Sequence, residues 1–263
     1  GSHYYMRANI TINDAGIILA ASNAPPPTGG AAVSRVNQKM SITLGAQPTV
    51  PALLSLIRAL RAVKTTIRLY NADENDGTQF TQSKICIHLA QMALSSLESE
   101  HRKLFQSKIE LVTPQLLTFG NLPDDLLRLA QMSLDTPDVL SSLIKVHDAH
   151  IKNLVLVGQS LSMKLCFIVV PENLIWPKPP PLLAQSLEHC LDSPFNYWLA
   201  ITYETAMAIR GPLYQHGMIR IDQGPERQFK RIIYPIIPAN ERASNHRILS
   251  TACLLDDPDT PII

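Results

Sequence analysis

An α+β fold, with mainly antiparallel sheet and several short helices, is what this sequence predicts, and two observations carry the prediction. Strand-like segments come in clusters joined by Gly and Pro turns rather than in strict alternation with helices. The clearest helices are short, each opened by a proline or by acids in its first turn.

The elements follow in order. Met6–Ile12 and Gly16–Ala21 alternate like strands, and Pro25-Pro26-Pro27-Thr28-Gly29-Gly30 is a loop, because three prolines donate nothing to a ladder and glycines cost entropy. Val36–Leu44 is strand-like again. Pro51 opens a helix whose apolar stripe is Leu53, Leu56, Ile57, Leu60 and Val63. Thr65–Tyr70 reads as a strand, and the polar turn Asn71–Gly77 predicts a hairpin. Lys84–Leu89 alternates Ile85, Ile87 and Leu89 with Lys84, Cys86 and His88, which favours a half-buried strand over a helix through Leu97.

Pro123-Asp124-Asp125 begins a helix carrying Leu126, Leu127, Ala130 and Leu134, and Thr136-Pro137-Asp138 repeats the device for a second helix ending near His150. Asn153–Val157 and Leu161–Val170 are strand-like. Pro171–Pro181, with five prolines, is an extended strap, and Pro181 opens a short helix through Leu191. The remainder reads as β-rich: Tyr197–Tyr203, Met218–Asp222 and Phe229–Ile237, broken by Gly211-Pro212 and Gly224-Pro225. Asp256-Asp257-Pro258-Asp259 predicts a flexible acidic tail.

The expected organisation is one compact domain over 4–263, in two subregions of about 4–120 and 121–255 that meet near Gly120. Two domains divided at the proline-rich strap are the alternative. No repeat of 20–50 residues marks a solenoid.

Composition bounds the function. Apolar residues make up 46% of the 263 and charged ones only 17%, against about a quarter in ordinary soluble domains. Such an exterior is poor in charge and suited to meeting other protein surfaces. The 23 Lys and Arg nearly balance the 22 Asp and Glu, so no global field attracts nucleic acid or an anionic membrane. Cys86, Cys166, Cys190 and Cys253 form no Cys-x-x-Cys pair and read as buried thiols of a reducing compartment.

Gly1-Ser2-His3 reads as a tag remnant, no signal-peptide pattern follows it, and the longest apolar runs fall far short of the roughly 20 residues of a spanning helix. An intracellular protein, soluble or peripheral to a membrane, is expected. Asn9-Ile10-Thr11 has the form of a glycosylation sequon but reads as ordinary strand.

Three patterns bear on chemistry. Asn153–Val157 leads into Gly158-Gln159-Ser160-Leu161-Ser162, which resembles the nucleophile elbow of α/β-hydrolases, where small residues around a serine let a strained turn lift its hydroxyl. The resemblance covers some 25 residues and implies Ser160 as nucleophile, with a base among His189, His216 and His246. It departs at Ser162, which stands in place of the second glycine, and at Leu165–Val170, which is strand-like where a helix belongs. The plain reading is a hairpin turning at Gly158–Ser160.

His147-Asp148-Ala149-His150 puts two imidazoles on one helix face, but nothing signals further ligands, and His147 continues the core stripe. No metal or cofactor is therefore expected. No phosphate-cradling glycine motif occurs, and no small-molecule substrate is indicated.

Basic residues form two sets. Arg58, Arg61, Lys64 and Arg68 run along the first helix into the next strand. Between Arg210 and Arg247 lie Arg220, Arg227, Lys230, Arg231 and Arg242, against Asp222, Glu226 and Glu241, and Phe229 and Tyr234 are there for stacking. The residues expected to meet an anionic partner are Arg58, Arg61, Lys64, Arg220, Arg227, Lys230 and Arg231. Proline-rich triplets at Pro25–Pro27 and Pro179–Pro181, and Tyr234-Pro235-Ile236-Ile237, have the form of docking motifs.

Taken together, these features favour a non-enzymatic structural protein that associates with itself, a matrix- or capsid-like virion subunit touching membrane or ribonucleoprotein. A serine hydrolase using Ser160 and a nucleic-acid-binding module using 210–247 are the alternatives.

Overall fold

In the computed structural model of the chain, residues 9–19, 25–36, 39–72, 76–101, 104–135, 141, 145–147, 150, 151, 153–159, 165–169, 194–220, 224–237 and 246–255 are described. They form two mainly antiparallel sheets with about 37% helix and 38% strand, an α+β fold. The chain divides into two compact units, Gly1–Leu97 and Glu98–Ile263.

The first unit holds β1 (Ile10–Ile12), β2 (Ile18–Leu19), β3 (Ala31–Val36), β4 (Lys39–Leu44), α1 (Val50–Ala59), β5 (Ile67–Tyr70), β6 (Thr78–Phe80) and most of α2 (Gln82–Glu100). Its strands lie in the order β2-β1-β3-β4-β5-β6. β4 and β5 are parallel, because α1 crosses between them, and the other pairs are antiparallel.

The Thr49 hydroxyl caps α1, accepting from the Ala52 N–H at 3.3 Å, and Pro51 fits the first turn, where its missing donor is not needed. Alternation gives this sheet one buried face, with Val33, Met40, Ile42, Leu44, Ile67 and Leu69. Its other face is half-open and polar, with Ser34, Ser41, Thr43 and Arg68. The turn from β1 to β2 depends on Gly16, whose φ of +75° is unfavourable for any side chain.

The second unit holds β7 (Phe105–Leu111), α3 (Pro114–Phe119), α4 (Asp124–Asp135), β8 (Val155–Gln159), β9 (Leu165–Val169), α5 (Pro194–Ile209), β10 (Leu213–Arg220), β11 (Glu226–Ile236) and β12 (Arg247–Leu254). The strand order is β7-β10-β11-β12-β8-β9, antiparallel throughout. β11 is covered on both sides. Tyr214, Ile232, Tyr234, Ile236 and Leu249 pack against Leu126, Leu129 and Ala130 of α4.

The alternate residues meet α5 instead. Trp198, fully buried, stacks on Phe105 at 5.5 Å and meets Phe229 edge-on at 5.7 Å. Gly217 makes room for this cluster, since a Cβ there would lie 2.9 Å from both the Phe229 ring and the Ser107 side chain. Pro235 is tolerated in β11 because the β10 ladder ends at Leu213–Ile233, leaving the proline a strand neighbour on one side only.

Two segments expected as strands are helices. Lys84–Leu89 lies in α2, whose buried residues Ile85, Cys86, Leu89, Ala90, Ala93, Leu94 and Leu97 recur every three or four positions, so the helical stripe outweighs the short alternation. Tyr197–Tyr203 lies in α5, which is buried nearly all round and so lacks the polar face that would reveal its period. β3, β7 and β12 fall where the sequence reading assigns no strand. The helix expected from Thr136, the strap 171–181 and the acidic tail lie outside the described residues, apart from helical positions at 141 and 145–147.

Candidate interaction surfaces

Strand register sorts the basic residues of the second unit. Successive side chains point to opposite faces, so Arg220 and Lys230 lie on the α4 side of the sheet and Arg227 and Arg231 on the α5 side. Arg231 is fully buried. Its Nη2 donates to the Thr202 hydroxyl at 2.7 Å, its Nη1 lies 3.5 Å from the Tyr203 hydroxyl, and its guanidinium sits over the rings of Trp198 and Tyr203 at 5.6 and 5.2 Å. Burial lowers the Arg231 pKa and raises that of Tyr203, while each partly offsets the shift in the other. Arg231 therefore organises the core beneath α5, and no external anion reaches it.

Lys230 is half-buried, and its ammonium donates to the carbonyls of Gly120 and Asn121 at 3.1 and 3.3 Å. Desolvation lowers its pKa. The ladder sets His216 opposite both Lys230 and Lys108, a row that only the register reveals. The His216 pKa is lowered by burial and by the Lys230 charge, against a hydrogen bond to Gln228 at 3.3 Å that raises it. Arg220 is ion-paired with Glu226.

Arg227 is exposed on the other face, Arg247 donates to the His246 carbonyl at 2.8 Å, and Arg242 lies outside the described residues. The basic stretch is therefore spread over two faces and the core, not gathered in one patch. In the first unit Arg58 and Arg61 are half-buried at the end of α1 and just beyond it, and Lys64 is exposed.

Ser160 lies outside the described residues. Around it, β8 runs to Gln159 and pairs antiparallel with β9, Gln159 opposite Leu165, so a strand occupies the place where a nucleophile elbow needs a helix. Gly158 and Gln159, expected in a turn, are part of this ladder, opposite Cys166 and Leu165. Asp148 lies outside the described residues. His147, expected at the core edge, is exposed, and its neighbour Val146 is buried instead.

Among the described residues no three His, Cys, Asp or Glu side chains gather as a metal-binding group. Cys86, Cys166 and Cys253 are free thiols, and desolvation pushes Cys86 up to about 12, which leaves it protonated and unreactive. A cavity of about 250 Å³ at the carboxyl ends of β4 and β5 is lined by Leu44, Pro48, Ala72 and Met92, with Asn71 the one polar side chain among the described residues that line it. No described helix is long and apolar enough to cross a membrane.

The sheet edges differ sharply in chemistry. β7 ends its sheet with Gln106, Lys108 and Glu110 exposed. At the opposite end β9 exposes Ile168 and Val169, the latter 51% accessible. In the first unit β2 is an edge, with its Ile18 and Leu19 and the preceding Ile17 all exposed. The sequence does carry a signal for these edges: no charged residue occurs from Ala15 to Ser34 or from Leu165 to Pro171. Comparison with protein-family models, with curated proteins and with solved structures found no match.

Proposed function

We propose that this chain is a non-enzymatic structural subunit that associates with copies of itself, in the manner of a matrix- or capsid-like layer protein. The observation that supports this reading best is a set of large apolar side chains left uncovered at sheet edges and at the ends of elements: Ile17, Ile18, Leu19, Val36, Phe119, Ile168 and Val169. Phe119, at 81% exposure, stands out furthest. In a sequence with only 17% charged residues, little charge is present to keep such surfaces apart.

Light scattering over a range of concentration and salt tests the reading. Apolar association gives a mass that rises with concentration and holds or grows with added salt; a monomer at every concentration sinks the proposal. Contact with an anionic membrane or ribonucleoprotein is a second reading, for which the second unit offers the exposed cations Lys108 and Arg227 on opposite faces of its sheet. It predicts retention on an anionic surface that falls steeply with salt.

A further inference from the structure

We infer that the chain has two separate self-pairing edges, β9 in the second unit and β2 in the first, and that together they carry its assembly past a dimer; this rests on the self-association proposed above. An edge strand presents unpaired N–H and C=O groups, a ready template for another strand. Natural sheets block such edges with charge, as β7 does with Lys108 and Glu110. β9 and β2 carry no such block among the described residues. Ile168 and Val169 are exposed on one, and Ile18 and Leu19, with the preceding Ile17, on the other.

The occupant follows from charge. Both edges lie in uncharged runs, Ala15–Ser34 and Leu165–Pro171, so a charged partner strand gains no complementary group there and would lose hydration. A second copy of the same neutral edge matches it. Two identical antiparallel strands meet about a two-fold axis, which reverses strand direction and extends each antiparallel sheet with the geometry that it already has.

One such edge per chain closes a dimer. Two unlike edges, each pairing only with its own kind, give every subunit two neighbours, so the assembly passes beyond a dimer. β9, with five strand residues against two in β2, offers more backbone pairing and makes the tighter contact.

The experiment compares the full chain with Val169→Lys, Ile18→Lys and the double variant by light scattering. The wild type is expected to grow past a dimer with concentration. Each single variant should stop at a dimer and the double variant should be monomeric, because lysines brought together across a two-fold repel and lose hydration, weakening each contact roughly tenfold or more. Far-UV circular dichroism checks the fold of each variant.

Amide exchange of the wild type at low and high concentration gives an arm that needs no variant, with protection expected to rise at 17–19 and 165–169. A wild type that is monomeric throughout overturns the self-association reading itself. A wild type that assembles, with single variants that assemble equally or with protection rising elsewhere, overturns only the two-edge inference.

Discussion

The two edges of the second sheet, β7 and β9, belong to one ladder and meet opposite requirements. β7 alternates buried Phe105, Ser107 and Ile109 with exposed Gln106, Lys108 and Glu110, so its outer row is charged. β9 buries Leu165 and Cys166 and then leaves Ile168 and Val169 to water. A sheet able to protect one edge and bare at the other points to use of the bare one. In such sheets, solubility is a matter of single side chains at the rim and has little to do with the core.

Exchanging the two chemistries tests the comparison. The largest effect is expected when β9 receives what β7 has. Val169→Lys should weaken self-association roughly tenfold or more, by sedimentation equilibrium, because like charges face each other across the contact, while the thermal midpoint stays close to that of the wild type. The converse change gives β7 what β9 has. Lys108→Val with Glu110→Val should raise the mean mass at fixed concentration severalfold, and no change would show that charge is not what protects β7.

β7 is also held from within. Glu98, near the end of α2, accepts from the Ser107 N–H at 2.7 Å and the Ser107 hydroxyl at 3.2 Å. Burial nonetheless pushes its pKa up from 4.5 to about 7, with both hydrogen bonds acting the other way. A carboxyl whose pKa is raised on folding contributes stability that is fully present below its free value of 4.5 and lost as pH rises through about 7. Glu98→Gln should remove that slope. With allowance for the group's partial exposure, the difference between wild type and variant should change by about 1 kcal/mol between pH 5 and 8, read from thermal midpoints.

The smallest effect concerns His216, next to Lys108 in the same row. Its lowered pKa gives stability present above its ordinary value of 6.5 and lost as pH falls. His216→Gln should flatten this opposite slope, and an unchanged acid limb would show that the imidazole is not desolvated as described.

Much of the fold was legible in the sequence. The proline at the start of α1, the acids Asp124 and Asp125 in the first turn of α4, and the polar turn between β5 and β6 all act locally, so a sequence displays them. α5 was not legible, because a helix surrounded by protein has no polar stripe, and its Tyr, Trp and Ile also suit strands. α2 was misread because Ile85, Ile87 and Leu89 alternate for a few residues before the longer helical period takes over.

Among the candidate contacts, the failure was one of face. Lys230 and Arg231 are neighbours in sequence, yet strand alternation sends one to the α3–α4 connection and the other into an aromatic cage. Lys108 joins the row of Lys230 only through pairing across three strands, which no local pattern encodes.

Sedimentation velocity of the unmodified chain over a hundredfold range of concentration decides whether it associates with itself. The 29.1 kDa species is expected only at the dilute end, giving way to dimers and then to larger species. One sharp 29.1 kDa boundary at every concentration would contradict self-association.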